Sequence, residues 1–137
     1  MTLFLDTSAL LKRYVDEEGT AEVIDTMALD IDWAASAVAR TETEVSLCRL
    51  IADDAQRDEV VARFRRDWAR FFVVALDSEC LDRAIEIGCE RRLRTLDALH
   101  LAAVERLPPP LTMLSFDAQQ IAAAVALGIQ VGVEPRA

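Results

Sequence analysis

Short apolar runs alternate with longer amphipathic segments along most of the chain, and this alternation restricts the fold more than any other feature of the sequence. Runs of strand length lie at residues 3–5, 33–35, 72–76 and 111–114, and residues 129–131 can form a final edge strand. The segments between them are long enough for helices and carry a helical spacing of apolar residues. Strands that alternate with helices are typical of an α/β domain built on a parallel sheet.

Capping residues mark the starts of several of the helices that we expect between and after these strands. Thr20 and Thr95 are candidate N-caps, and either Asp77 or Ser78 caps the helix that follows the third strand. Predicted helices cover residues 8–15, 20–29, 38–52, 58–69, about 78–91, 96–106 and 117–127.

The length of 137 residues fits one domain, and neither a linker nor an internal repeat divides it, so we expect a single domain over residues 1–137. No apolar run approaches the length that spans a bilayer, and the N-terminus lacks the pattern of a signal peptide. We therefore expect a cytoplasmic protein that does not contact a membrane. The cysteines, Cys48, Cys80 and Cys89, form no CxxC pair, and we expect them to be buried, reduced thiols.

Four acidic residues lie where the predicted strands end or the predicted helices begin. Asp6 and Asp117 follow the first and fourth strands. Asp97 lies in the first turn of a helix, and Glu42 lies in the helix after the second strand. In an open α/β fold, the carboxyl ends of parallel strands open into one crevice, where ligands bind. Carboxylates gathered there repel one another unless a cation lies between them, and Mg²⁺ is a cation that prefers such oxygen ligands.

Three of these acids also have an ordinary structural explanation. Asp6 is a good N-cap for the helix that follows it. Asp97 interacts favourably with the dipole of its helix. Asp117 and Gln120 have the spacing of a capping box.

The helical periodicity does not choose between Glu42 and Glu44, because each lies near apolar residues on its own side of the helix. His100 is the only histidine, and it lies on an apolar helical face. A structural histidine is more frequent in such a position than a catalytic base or a metal ligand.

The net charge of −9 weighs against a protein that holds nucleic acid through a broad basic surface. If nucleic acid is the substrate, a bound metal ion and a few local basic residues must hold its phosphates. The candidate phosphate contacts lie near the acids in the sequence and are Lys12, Arg13, Arg92 and Arg94. The acidity also favours a basic protein partner.

Taken together, these segments resemble the PIN-domain family, and most closely the VapC-type toxins of bacterial toxin–antitoxin pairs. The resemblance is carried by residues 5–10, 36–42, 95–102 and 114–117, which occur in this order and extend over nearly the whole chain. It implies a single PIN-like α/β domain with a central parallel sheet of about four to five strands flanked by helices.

The resemblance also implies a divalent-metal-dependent endoribonuclease that uses Mg²⁺, or alternatively Mn²⁺. The catalytic and metal-binding residues that it implies are Asp6, Glu42, Asp97 and Asp117. It selects Glu42, with Glu44 as the fallback, and it places supporting hydroxyls on Thr7, Ser8 and Ser115. The chemistry would be metal-assisted hydrolysis, in which the pKa of a water is lowered and the water attacks the phosphorus in line.

The implied partners are an RNA substrate, a cognate antitoxin and a second copy of the chain. A basic tail of the antitoxin could enter the acidic pocket and displace the metal ion, as the net charge suggests. Trp33, Phe64 and Trp68 either form a dimer surface or belong to the core.

Two alternatives remain beside the toxin hypothesis. One is a PIN-like nuclease with a housekeeping role in RNA processing or acting on structured DNA. The other is a non-enzymatic, receiver-like binding module, which is disfavoured because only one acid follows the first strand and residues 111–114 contain no lysine.

Overall fold

The predicted strands pair into one parallel sheet that has helices on both faces. The computed structural model describes residues 1–29 and 32–132, and no helix within these residues is long and apolar enough to cross a membrane. In chain order the elements are β1 (Thr2–Leu5), α1 (Thr7–Lys12), α2 (Thr20–Leu29), β2 (Asp32–Ser36), α3 (Val38–Leu50), α4 (Asp54–Trp68), β3 (Phe72–Val74), α5 (Ser78–Arg91), α6 (Thr95–Glu105), β4 (Leu111–Leu114) and α7 (Ala118–Ala126).

β1 lies in the middle of the sheet, whose strand order is β3-β2-β1-β4 with all neighbours parallel. Phe4 of β1 is in register with Ala34 of β2 and with Met113 of β4. The predicted edge strand at residues 129–131 is reduced to a single parallel bridge between Met113 and Val131. The order differs from the 2-1-3-4-5 order of receiver-type domains, so the receiver-like alternative does not fit this sheet.

The alternation of side chains along β1 divides the core into two parts. Successive side chains of a strand point to opposite faces of a sheet. Leu3 and Leu5 therefore pack in one hydrophobic cluster with residues of α1 to α4, and Phe4 packs in a second cluster with residues of α5 to α7. The sheet is thus covered on both sides, as expected for parallel strands.

Trp33, Phe64 and Trp68 belong to the core rather than to an exposed surface. Trp33 and Phe64 are buried, and Trp68 is partly buried against the same cluster. The ring of Phe64 meets that of Tyr14 edge to face, with 5.3 Å between the centroids. An edge-to-face contact is a favoured geometry for two aromatic rings.

Several elements have bounds that differ from the predicted ones. α1 ends at Lys12 rather than near residue 15, and β3 ends at Val74 rather than at residue 76. α4 begins at Asp54, earlier than predicted, because the carboxylate of Asp53 accepts a hydrogen bond from the backbone amide of Gln56 and caps the helix.

Of the caps predicted at Thr20, at Asp77 or Ser78 and at Thr95, one was correct and two were wrong, while Asp6 caps α1 as expected. Asp77 caps α5 as expected. Thr20 is the first residue of α2, and its hydroxyl bonds backbone groups that precede the helix. Thr95 is the first residue of α6, and the N-cap position belongs to Arg94, whose side chain makes no capping hydrogen bond.

The expectation of three buried thiols is wrong for two of the cysteines. Cys80 is buried, whereas Cys48 and Cys89 are exposed. All three are free.

Candidate active site

The four acids lie at the carboxyl edge of the sheet, which is where the chain leaves β1, β2 and β4. Asp6 directly follows β1, and Asp117 follows β4 by three residues. α3 leaves the end of β2 and carries Glu42, while the first turn of α6 carries Asp97. Because parallel strands all end at the same edge, one face of the molecule collects side chains that are far apart in the sequence.

Asp6 is a fully buried carboxylate that also caps a helix. Its Oδ1 accepts hydrogen bonds from the backbone amide of Ala9 at 3.0 Å and from the hydroxyl of Ser8 at 2.7 Å. Its Oδ2 accepts from the hydroxyl of Ser115 at 2.5 Å. Burial raises the pKa of Asp6, and the hydrogen bonds from Ser115, Ser8 and Ala9 oppose this rise without cancelling it.

The hydroxyls of Ser8 and Ser115 tie the end of β1 to the end of β4. Ser8 Oγ accepts from the backbone amide of Phe116 at 2.9 Å, and Ser115 Oγ accepts from the amide of Asp117 at 3.1 Å. Each hydroxyl therefore donates a hydrogen bond to Asp6 and accepts one from a backbone amide that follows β4. Together they fix the direction in which the carboxylate of Asp6 points.

Glu42 is half-buried and is held by two donors from other elements. Its Oε1 accepts from the hydroxyl of Thr7 at 2.8 Å and lies 2.6 Å from Nε2 of His100. A carboxylate only accepts hydrogen bonds when ionised, so the ring hydrogen in this contact lies on Nε2. Burial raises the pKa of Glu42, but the hydrogen bonds from His100 and Thr7 outweigh burial and hold that pKa below its usual range.

Glu44, the fallback for Glu42, is engaged elsewhere on the helix surface. Its carboxylate pairs with Arg65 at 2.6 Å and with Arg40 at 3.0 Å. The structure thus places Glu42, and not Glu44, with Thr7 and His100.

The hydrogen bond between His100 and Glu42 was not predicted from the sequence. The sequence did hold a signal that His100 lies near the candidate site. Asp97 and His100 are three residues apart on one helix, so they lie on the same face of that helix. His100 is buried, and its Nδ1 has no hydrogen-bond partner among the described residues.

Asp97 is buried at the start of α6 and is held by an amide and a guanidinium. Its Oδ1 accepts from Nε2 of Gln120 at 3.1 Å, and its Oδ2 accepts from Nε of Arg94 at 3.0 Å. Gln120 therefore does not close the predicted capping box with Asp117. Asp117 does cap α7, through the backbone amides of Gln119 and Gln120.

Arg94 joins two of the acids. While its Nε donates to Asp97, its Nη2 donates to Oδ2 of Asp117 at 3.3 Å. The pKa of Arg94 is raised by its hydrogen bond to Asp97 and by the charges of Asp97, Asp117 and Glu42. A positive group of the protein itself thus neutralises part of the acidic edge.

The other predicted phosphate contacts have varied surroundings. Lys12 pairs with Glu17 at 3.2 Å and lies over the ring of Phe116. Arg13 pairs with Asp67 of α4 at 3.1 Å. Arg92 is the C-cap of α5 in the left-handed conformation, with φ of 53°. It lines an open cleft of about 590 Å³ together with Arg94, Asp117, Ala118 and Gln119.

The donor set suits a hard cation, although no ready-made cage for one is present. Within residues 1–29 and 32–132, no three His, Cys, Asp or Glu side chains form a group that could hold a metal ion as they stand. The four candidate ligands at this edge of the sheet are nonetheless carboxylates, which are ligands for Mg²⁺. Mg²⁺ usually binds through one or two carboxylates and keeps several waters, so the residues present fit this ion.

Comparisons with known proteins agree with this architecture. A model of the PIN domain family matches residues 3–120. No curated protein matches the chain. Among solved structures, FitAcB from Neisseria gonorrhoeae is similar with a TM-score of 0.76 and 16% identity, covering 94% of this chain and 95% of that one.

Two further solved structures are similar over most of their length. VapC20 from Mycobacterium tuberculosis, described as a sarcin-ricin loop cleaving toxin, matches with a TM-score of 0.72 and 18% identity, covering 88% of this chain and 94% of that one. A toxin–antitoxin complex from Klebsiella pneumoniae matches with a TM-score of 0.67 and 19% identity, covering 89% and 91%. At these identities the likeness shows the fold.

The buried charge of Asp6 predicts a stability effect with a defined pH dependence. The pKa of Asp6 is higher in the folded protein than in the unfolded chain, where it is about 3.9. The folded state therefore binds more protons, and its stability falls as the pH rises from the unfolded value through the raised folded value. Asp6→Asn removes this penalty while keeping a capping side chain. We expect a higher Tm than wild type in EDTA at pH 7.5, and a difference that shrinks towards pH 4.

Asp77→Asn is the matched control, because Asp77 is also an N-cap but is exposed and pairs with Arg106. The hydrogen bond from Arg106 holds the pKa of Asp77 below its usual range, so this substitution should lower Tm at neutral pH and lose its effect in acid. An Asp6→Asn protein that is less stable than wild type at pH 7.5 would contradict the expectation for Asp6.

Proposed function

The chain belongs to the PIN-domain family, and from this premise we propose that it is a divalent-metal-dependent endoribonuclease that acts as the toxin of a toxin–antitoxin pair. The observation that carries the proposal is the burial of Asp6 and Asp97 at the same edge of the sheet that holds Glu42 and Asp117. A buried carboxylate reduces stability unless it is paired. Asp97 is paired with Arg94, whereas Asp6 has only neutral hydrogen-bond donors within the described residues, and a bound cation would supply its missing partner.

The four acids would share the binding of Mg²⁺ or Mn²⁺ unequally. Asp6 and Asp97 are the more deeply buried and are oriented by Ser115 and Gln120, so they are the candidates for direct contact with the ion. Glu42 and Asp117 are the candidates for contact through water. The bound ion would polarise the phosphodiester and lower the pKa of a water.

The side chains around the acids would keep them ready for this role. Thr7 and His100 both bond Oε1 of Glu42, which favours the ionised form and leaves Oε2 free of these contacts. Ser8 and Ser115 hold Asp6 in one orientation. A site held in one geometry avoids the cost of reorganisation during the reaction.

Single-stranded or looped RNA is the proposed substrate class. The similar VapC20 is described as a toxin that cleaves the sarcin-ricin loop. The cleft of about 590 Å³ that Arg92 and Arg94 line opens beside Asp117, where a phosphate backbone could reach the acids. Lys12 and Arg13 remain candidate contacts to other phosphates of the RNA. With a net charge of −9, few phosphates would be held directly, so a shallow salt dependence is expected.

Cleavage of RNA by the purified protein is the test of this function. With Mg²⁺ we expect discrete fragments from total cellular RNA, and none with EDTA. Asp97→Asn should slow cleavage by at least about 100-fold, because loss of even an outer-shell partner of a metal site costs about 10- to 100-fold. The rate is measured by gel electrophoresis of end-labelled RNA.

Glu44→Gln is the matched control for this experiment, since Glu44 lies two residues from Glu42 and pairs with Arg40 and Arg65. It should cleave at the wild-type rate. Equal losses in Glu44→Gln and Asp97→Asn would contradict the assignment of the site, and cleavage in EDTA would contradict the metal dependence. Cleavage without toxicity on expression would favour the housekeeping alternative.

The proposed protein partner is an antitoxin with a basic tail that enters the acidic edge. Similar structures include a toxin–antitoxin complex and the FitAB pair bound to DNA. An arginine or lysine of such a tail could pair with the same carboxylates that bind the metal ion. Because two cations compete for one set of ligands, inhibition and metal loss should occur together.

Metal occupancy therefore tests the mode of inhibition. We expect that the complex purified with its partner from the source organism binds less Mn²⁺ than the separated protein, as measured by paramagnetic resonance. When partial denaturation releases the partner and this chain is refolded, its Mn²⁺ binding should return. An inhibited complex with unchanged Mn²⁺ occupancy would exclude displacement.

A homodimer is the proposed assembly, and the outer face of α5 is its candidate surface. Leu81 and Ile85 are 43% and 64% exposed and lie one helical turn apart. They border an apolar groove of about 460 Å³ between α5 and α6, which Leu99 also lines. An exposed apolar patch of this kind is typical of an interaction site.

Light scattering coupled to gel filtration tests the dimer. Ile85→Asp should give a monomer, because a charge would lose its hydration in an apolar interface. Val125→Asp on α7 is the control, since Val125 is 61% exposed and lies on a different helix. A monomeric wild type, or a dimer that survives Ile85→Asp, would contradict this surface.

A further inference from the structure

Arg94 lies at the start of α6 in a place where a helix favours a different residue. The N-cap position is best filled by a short polar side chain that bonds the helix amides. Arg94 occupies that position without capping the helix. Its guanidinium instead reaches Asp97 on its own helix and Asp117 at the end of β4. Helix formation thus does not explain this arginine, whereas the acids do.

The guanidinium lies between two carboxylates that come from separate elements. It donates to Oδ2 of Asp97 at 3.0 Å and to Oδ2 of Asp117 at 3.3 Å. Its positive charge also acts on Glu42. These are three of the four acids that the proposed function assigns to the metal ion. The positive charge of Arg94 is therefore placed among the groups that a divalent cation would use.

Arg94 can leave this position at small cost only when another cation takes its place. Its side chain is 74% exposed, and within the described residues the hydrogen bonds of that side chain go only to Asp97 and Asp117. The exposed guanidinium loses little hydration in these pairs, whereas the carboxylate of Asp97 is buried and needs a cationic partner. A divalent ion has twice the charge of a guanidinium and needs the same oxygens.

We propose that Arg94 is a counter-ion that competes with the metal ion for Asp97 and Asp117, and that once displaced it contacts an RNA phosphate in the cleft that it lines with Arg92. This inference rests on the proposed nuclease function. It makes Arg94 a switch between two states, one closed on the acids and one open to the substrate. Metal ion and RNA both favour the open state, so each strengthens the binding of the other.

Calorimetric titration of the purified full chain with Mn²⁺ alone tests the competition. Arg94→Gln should bind Mn²⁺ about 3- to 10-fold more tightly than wild type, because the two ion pairs of the exposed guanidinium no longer oppose the ion. Arg94→Lys keeps a charge without the forked geometry and should lie between the two. Arg65→Gln is the matched control, because it removes an exposed arginine that is paired with Glu44 outside the site, and its Mn²⁺ affinity should equal that of wild type.

A second titration follows a 2′-O-methyl single-stranded RNA oligonucleotide, whose integrity is checked after each run, with and without Mn²⁺. Mn²⁺ should strengthen RNA binding by wild type more than by Arg94→Gln, since the variant has no guanidinium to release. Unchanged or weaker Mn²⁺ binding by Arg94→Gln would overturn the inference, as would an equal effect of Mn²⁺ on RNA binding in both proteins. A wild type that binds no Mn²⁺ and cleaves no RNA would overturn the proposed function itself, which separates the two failures.

Discussion

The burial of carboxylates at one edge of the sheet is the constraint on which the rest of this structure depends. A parallel sheet brings the ends of its strands together, so acids at those ends become neighbours whatever their separation in the chain. Hydrogen-bond donors of three kinds stabilise these carboxylates. The hydroxyl of Ser115 bonds Asp6, the side-chain amide of Gln120 bonds Asp97, and the guanidinium of Arg94 lies between Asp97 and Asp117. The capping role and the site role of Asp6 are therefore compatible, because one oxygen caps α1 and the other faces Ser115.

The architecture could be predicted from the sequence because its signals are local. Apolar runs bounded by turn residues identified the four strands, and acids placed directly after them, such as Asp6, followed from strand direction alone. The choice of Glu42 over Glu44 did not follow in this way, because both lie on one helix among apolar neighbours. It came from a family resemblance, and the structure shows that Thr7 and His100 contact Glu42, whereas Arg65 pairs with Glu44.

The contacts within the site could not be predicted, because they join residues that only the complete fold brings together. The pairing of His100 with Glu42 crosses from α6 to α3. The position of Arg94 depends on Asp117, which is 23 residues further along the chain. Thr95 was expected to cap α6 because propensity favours threonine there, but the N-cap position belongs to Arg94, whose side chain bonds Asp97 and Asp117 instead of the helix amides. Local propensity is a weak guide where electrostatics decides.

The ties between the ends of β1 and β4 have a consequence for the newly made chain. Ser115 and Asp6 are 109 residues apart in sequence, and their contact requires β4 to be in place beside the central strand. Contacts of such long range form late, because a large loop must close before they stabilise anything. During synthesis, which proceeds from the N-terminus, Asp6 and Glu42 emerge long before Asp97 and Asp117. A nascent chain thus carries Asp6 and Glu42 without Asp97 and Asp117 until the C-terminal part of the domain has been made.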